Sequence, residues 1–413
     1  MRDEIRARIE AVKNGEVPGG YIKTEIGVLP EEWAVRPLSE ISSVITDQAG
    51  EEELETLSIS AGIGFVNQAQ KFGKELSGKQ YSKYTVLQKG DFAYNKGNSK
   101  RYPQGCTYML REREKAAVPN VFECFRIREG VPEYYEQLFI HGFMNKQLSE
   151  KINHGVRDDG LLNLTDKDFY STKVPFPSVR EQRRIAEILD MYDHAIRLRR
   201  ELIEEKRKQK RGLMEKLLSP RDENDPVNAW ETRTFQEVCR FINGRAYKQE
   251  ELLERGKYPV LRVGNLFTKD DWYYSDLELP EHQYIENGDL IYAWSASFGP
   301  QIWRGEKVIY HYHIWKVIPE DVILKEYLYQ YFQYDVQLLV KEQQGGTMSH
   351  VTKETMEKRT CRFPSIERQR IIAQILAKAD QSIELSEQEL SYWLEKKKAL
   401  MQLLLTGLVR VNA

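Results

Sequence analysis

Residues 176–218 read FPSVREQRRIAEILDMYDHAIRLRRELIEEKRKQKRGLMEKLL, and residues 363–405 read FPSIERQRIIAQILAKADQSIELSEQELSYWLEKKKALMQLLL. The two stretches align without a gap at an offset of 187 residues, with 17 of 43 positions identical. A repeat this long implies two similar halves, each ending in the same element. The apolar positions step by three and four. The first copy gives Ile185, Leu189, Tyr192, Ile196, Ile203, Leu213 and Leu217; the second gives Ile372, Leu376, Ala379, Ile383, Leu390, Trp393, Leu400 and Leu404. Steps averaging about 3.5 mark a coiled-coil seam. Ser178 can cap the first helix with Glu181 three residues on, a capping box that Arg368 breaks in the second copy. About 40 residues make a rod of ~60 Å, which cannot bury its seam alone. The expectation is that the two copies pack together as an antiparallel pair. Mid-seam charge (Arg199, Lys206 and Lys210, set against Ser386 and Lys397) marks a partly exposed stretch or a dock for another subunit, with Trp393 beside it.

Outside the repeats lie two segments alike in outline. Each opens on a tryptophan and a spaced apolar set: Trp33, Leu38, Ile41, Ile45, and Trp230, Phe235, Val238, Ile242. Each has a short strand candidate (residues 54–60 and 258–263) and a glycine-aspartate step into an aromatic strand (residues 90–94 and 288–292). Each has a helical stretch (132–152 and 324–342) and a glycine-bearing loop (155–160 and 345–350). The fold class is α+β: two similar mixed domains, 1–175 and 221–362, alternating with long spacer helices, 176–220 and 363–413.

With 413 residues, 41% hydrophobic and 30% charged, the chain reads as a soluble protein of two or three domains. It has no apolar run of the ~18 residues that span a bilayer, and a charged N-terminal stretch, so a cytoplasmic location is expected. Cys106, Cys124, Cys239 and Cys361 form no CxxC pair and read as reduced thiols. Net charge is only −2, but residues 71–113 carry ten Lys/Arg against three Asp/Glu, and residues 197–216 nine against four. Such local basic faces suit phosphate binding.

The plan resembles the specificity subunit of type I restriction-modification systems. The resemblance rests on the F-P-x-x-x-x-Q-R-x-I-A starts at Phe176 and Phe363 and the lysine-rich ends at 208–218 and 394–405. It extends to the terminal stretch 404–411, to residues 20–27, and to the step Gly90-Asp91-Phe92-Ala93-Tyr94-Asn95-Lys96. It implies two target-recognition domains, each reading half of a split DNA sequence, and paired helices that act as a ruler and dock two modification subunits. It places S-adenosylmethionine, ATP and magnesium on partner subunits, with ATP-driven restriction subunits as possible further partners, and no cofactor or metal on this chain. The residues agree with that division of labour. There is no asparagine-proline-proline-aromatic step and no G-x-x-x-x-G-K-[ST] loop. Glu204-Glu205-Lys206 sits in a helical charge run. His311 and His313 alternate, which puts them on one face of a strand as packing or DNA contacts, since no third metal ligand of zinc spacing is near. The chain reads as non-catalytic.

Base edges are read by Arg, Lys, Asn, Gln, Ser and Thr, and phosphates by Lys and Arg. In the first domain these types gather in the loop after the aromatic strand: Asn95, Lys96, Asn98, Ser99, Lys100, Arg101, Tyr102 and Gln104. Asn67, Gln68, Lys71 and Lys74, then Arg157, complete the set. In the second domain the counterparts are Ser295, Ser297, Gln301 and Arg304, with Asn265, Lys269, Thr347, Ser349 and His350. Loops that differ on a shared scaffold imply two different half-sites about one duplex turn apart, ~34–36 Å. The competing reading is a helical adaptor whose two heads hold proteins; the near-neutral net charge favours it and the basic loops oppose it.

Overall fold

The repeated sequence forms two long helices, Val179–Leu217 and Ile366–Leu405. The structure, a computed structural model, describes residues 2–73, 78–97, 102–152, 161–219, 230–267, 271–295, 298–342 and 352–411. The chain divides into two compact units, Met1–Leu198 with Leu390–Ala413, and Arg199–Glu389. Each unit therefore holds one globular part, the start of one long helix and the end of the other.

In the first unit, Ile185, Ala186 and Leu189 from a helix start and Met401, Leu404 and Leu405 from a helix end join Trp33, Phe92, Phe125, Leu138 and Phe169 in one core. In the second unit, Ile372, Ala373 and Leu376 with Met214 and Leu218 join Phe235, Tyr292, Trp315 and Phe332. The helix contributions are the same repeat positions, so an identical residue fills an identical place. Within each unit the helix pair is antiparallel. In the second, Lys206 meets Ser386 and Lys210 meets Asp380, so one number rises as the other falls. In the first, the Tyr192 ring lies 5.2 Å from that of Trp393, and Glu181 pairs with Arg410.

The mid-seam lysines are not surface groups. Lys397 is buried and donates to both carboxylate oxygens of Asp193 at 2.6 and 2.7 Å. Its repeat equivalent, Lys210, is buried and donates to Asp380 at 2.5 Å and to Gln333 at 2.6 Å. Each aspartate also accepts from a buried glutamine of the globular part: Gln137 to Asp193 at 2.9 Å, Gln330 to Asp380 at 2.8 Å. A lysine leaves water at a cost of several kcal/mol unless it is paired and hydrogen-bonded. Both clusters meet that condition, so at Lys210 and Lys397 the seam is buried and not the partly exposed stretch expected. Lys206 donates to Ser382 O and Ser386 Oγ.

A second repeated device explains the glutamine of the F-P-x-x-x-x-Q signature. Gln182 is fully buried; its amide donates to Pro177 O at 2.9 Å and its oxygen accepts from Val131 N at 2.8 Å. Gln369 does the same with Pro364 O, at 2.9 Å, and Leu324 N, at 2.8 Å. Each glutamine thus ties the long helix to the segment that starts the domain's helices Pro132–Ile140 and Lys325–Glu342.

Both units carry a four-stranded antiparallel sheet of one topology. The order is Ser42–Val44, Glu123–Ile127, Phe92–Asn95, Cys106–Met109 in the first, and Cys239–Asn243, Ile314–Pro319, Leu290–Ala293, Gly299–Ile302 in the second. Two-stranded ribbons, Ala34–Pro37 with Lys173–Phe176 and Glu231–Thr234 with Thr360–Phe363, deliver the chain to each long helix. The glycine-aspartate steps are turn chemistry. Gly90 and Gly288 both take φ +91°, which disfavours any side chain. Asp91 accepts from Gln88 N and from Arg126, while Asp289 accepts from Glu286 N and Lys316.

Two local expectations change. The helical stretch 132–152 is two helices, Pro132–Ile140 and Asn145–Lys151, broken at Gly142 with φ +75°. The strand expected over 258–263 ends at Leu261 and runs into the helix Val263–Phe267. Beyond the shared sheet the units differ. The first adds the hairpin of Leu57–Ser60 with Gly64–Asn67. The second adds a four-stranded sheet whose Tyr258–Leu261 and Val308–Tyr310 run parallel.

Removing the partner of a buried lysine costs more than removing the lysine with it. Asp380→Ala, which leaves Lys210 facing Gln333 alone, is expected to destabilise by about 3 kcal/mol. The double variant Lys210→Met/Asp380→Leu removes the stranded charge and leaves the Gln330 amide without its acceptor, so it is expected to cost less than the single variant. Urea unfolding of the full chain measures both.

Candidate nucleic-acid interface

In the first unit the described residues that flank three of the expected reading segments meet at one edge. The strand Phe92–Asn95 pairs with Cys106–Met109 and holds the two ends of the loop between them. Gly97 bridges to Leu161, and Leu162 N donates to Lys96 O at 2.8 Å, so the segment that follows 153–160 joins the same edge. The turn at Gly62 comes to it as well: Gly62 N donates to the Tyr108 hydroxyl at 2.7 Å, and Gly62 packs against the Tyr102 ring. Lys71 stands close enough to Cys106 to lower the pKa of a thiol that burial has raised, the net value being about 11.

Several candidates at this edge hold the fold. Asn67 caps the short helix Gln68–Phe72 through Gln70 N and donates to Glu55. Gln68 is buried and donates to the Tyr84 hydroxyl. Asn95 accepts from Gly97 N, which shapes the loop start. Lys96 is clasped between Asp166 at 2.6 Å and Glu123 at 3.7 Å. Its hydrogen bond holds the Asp166 carboxyl below the ordinary range, while burial raises that of Glu123. Lys71 is exposed, donates to Ile59 O at 2.8 Å and reaches over the Phe72 ring. Tyr102 and Gln104 are half-buried at the loop's far end, where Gln104 O accepts from the Tyr94 hydroxyl. Lys74, Asn98, Ser99, Lys100, Arg101 and Arg157 lie outside the described residues.

In the second unit the equivalent hairpin, Leu290–Ala293 with Gly299–Ile302, presents Trp294 and a buried Ser295, then Gln301, half-buried, and Arg304, exposed. Asn265 is spent locally, accepting from Arg262 N and donating to Asp271 O. Lys269, Ser297, Thr347, Ser349 and His350 lie outside the described residues. His311 and His313 do not share a strand face. Val308–Tyr310 ends before them, Ile314 N donates to His311 O at 2.9 Å, and the two histidines flank Tyr312 in a turn. Tight pairing on both sides favours a turn over the continuous strand that alternation had indicated. Among the described residues no group of three His, Cys, Asp or Glu side chains could hold a metal ion, and no helix is long and apolar enough to cross a membrane.

Sequence reasoning passed over one exposed feature of the first edge. Ile63 is 76% exposed in the turn between Gly62 and Gly64, both at positive φ. An isoleucine between two glycines in a hairpin turn was the available signal.

The model of the type I restriction modification DNA specificity domain matches residues 30–206 and again 228–392. The chain belongs to that family. The two matches cover the two repeats of domain plus helix. Relatives include the specificity subunit of type I restriction enzyme MjaVIII of Methanocaldococcus jannaschii, 26% identical over 302 residues, covering 65% of this chain and 70% of that one. The putative MjaX specificity subunit of the same organism is 22% identical, covering 95% of this chain and 97% of that one. Among solved structures, the S subunit of a type I restriction-modification system from M. genitalium matches with TM-score 0.53 and 16% identity over 92% of this chain and 97% of that one. A chain from a study of complex assembly and conformational transition of the type I R-M system matches with TM-score 0.56, 16% identity, and 92% and 99% coverage. At these identities the structural likeness carries the fold, and the family carries the DNA-recognition role.

Burial, with the nearby charges of His313 and Arg262, lowers the His311 pKa to about 4. An unfolded histidine titrates near 6.5. The unfolded chain therefore binds the extra proton first. The contribution of His311 to stability is complete above about pH 6.5 and is lost as the pH falls toward 4. An NMR titration of the His311 ring should give a midpoint near 4 and a neutral ring at pH 6.

Proposed function

We propose that this chain is the non-catalytic, DNA-reading subunit of a type I restriction-modification complex, and that each globular part reads one half of an asymmetric, bipartite target. The observation that carries the reading is the sheet common to both units, with an equivalent hairpin that ends in different chemistry. It ends in Asn95-Lys96-Gly97 in the first unit and Trp294-Ser295 in the second. A common frame with unlike tips is what reading two unlike half-sites requires. Of the candidates named from the sequence, we assign DNA contact to Lys71, Tyr102, Gln104, Gln301 and Arg304 among the described residues. The side chains of Gln68 and Lys96 serve the fold.

The helices serve as ruler and dock. Their buried polar clusters fix register, and apolar side chains remain outside the seam. Leu198 and Leu385, the same position of the two repeats, are 49% and 54% exposed. Recurrence of an exposed leucine at one repeat position supports two equivalent docking sites, hence two modification subunits. Adenine methylation with S-adenosylmethionine, and ATP- and magnesium-dependent restriction, then belong to partner subunits.

Methylome sequencing of a strain with and without this gene should show one split, adenine-methylated motif that appears or vanishes with it. Purified complex should bind that duplex with log affinity falling linearly in log salt, about 0.9 per phosphate neutralised. A slope near zero would instead favour the protein-holding adaptor. Four residues inserted in register into both long helices add ~6 Å, about two base pairs, so the spacer of the methylated motif should lengthen by that amount. An unchanged spacer would remove the ruler.

A further inference from the structure

The turn that follows Val308–Tyr310 is built more rigidly than any solvated loop needs. Arg245 N donates to Tyr310 O at 3.0 Å, Tyr312 N donates to Arg245 O at 3.1 Å, and Gly244 N donates to Ile314 O at 3.2 Å. The segment 243–245 thus lies flat against the turn. Only glycine allows that approach at 244, where a Cβ would sit 2.4 Å from Tyr310 O and 2.5 Å from His311 O. The second support is Trp294. Its ring stacks on buried Trp315 at 5.9 Å, its Nε1 donates to Tyr312 O at 2.9 Å, and its backbone N donates to His313 O at 3.1 Å.

On this base the rings of His311, Tyr312 and His313 pack within 4.1 to 4.8 Å of one another. Tyr312 is the most exposed of the three, at 38%, and among the described residues its hydroxyl has no hydrogen-bond partner. A side chain held this firmly loses little entropy on binding. In the first unit the turn that enters the equivalent strand, residues 119–121, reads Pro-Asn-Val. The tip of the second unit's turn is aromatic. A hydroxyl that both donates and accepts suits a base edge.

We infer that Tyr312 reads a base of the second half-site, its hydroxyl hydrogen-bonding a base edge while Trp294 and the two histidines hold its ring. The inference rests on the bipartite reading proposed above. The test uses the full complex with its modification subunits and measures methylation across a library of duplexes randomised in both half-sites. Tyr312→Phe, which keeps the ring, should lose roughly tenfold in discrimination at one base position of the second half-site. Tyr312→Ala should relax the same position and leave the first half-site unaltered. Unchanged preference in both variants would overturn the assignment, as would a uniform fall in methylation on all sequences, since that marks a role in the fold or in phosphate contact. A parent complex that selects no split motif would overturn the bipartite reading itself, a failure visible before any substitution is made.

Discussion

Two ion pairs made by buried lysines, Lys397 with a half-exposed Asp193 and Lys210 with a half-exposed Asp380, govern how this chain is put together. A lysine inside a helix seam is tolerated only where its partner arrives at one fixed register. Sliding either helix by a turn would strand a charge away from water. Each aspartate is also bound by a glutamine from a globular part, Gln137 or Gln330. The same cluster therefore fixes helix against helix and domain against helix, once in each unit.

The identities of the repeat map onto this construction. Asp193 and Asp380, Lys210 and Lys397, and Gln182 and Gln369 are identical residues that share their main hydrogen bonds: each lysine donates to the aspartate of the other helix, and each glutamine bonds a proline carbonyl and a backbone amide. Identical too are the core positions Ile185 and Ile372, Leu189 and Leu376, and Met214 and Met401. The frame is shared where helix meets domain and changes where the domain meets solvent. Glu181 is an instructive exception. In the first unit it is buried, accepts from the Trp33 indole and pairs with Arg410 of the tail, which Arg8 and Tyr21 also hold. Its counterpart Arg368 cannot accept those bonds. The capping box expected from the sequence forms only in half: Ser178 Oγ accepts from Glu181 N, while the Glu181 carboxylate is taken by Trp33 and Arg410.

Most of the fold was legible in the sequence because its signals are periodic or paired. The 3.5-residue seam gave the helices, and the matched tryptophan and glycine-aspartate landmarks gave the two domains. The seam charges were misjudged because a lysine in a heptad position looks exposed until its partner is known. That partner lies some 170 to 200 residues away. The site was less legible for a related reason. Asn67, Gln68, Lys96 and Asn265 have the residue types that read bases, but those types also cap helices, close turns and pair with carboxylates. Composition cannot separate the two uses. Tyr312 was missed because an alternating Tyr-His-Tyr-His run looks like a strand, and only the pairing of its neighbours makes it a turn.

The account's central claim is that the domains choose the sequence and the helices do not. The direct test is a chimaera in which residues 33–175 replace residues 230–362 while both long helices are kept. Single-molecule sequencing of DNA methylated by the assembled complex should then show a motif made of two copies of the first half-site at the original spacing. A motif that keeps its original second half would contradict the claim, because specificity would then reside outside the exchanged domain.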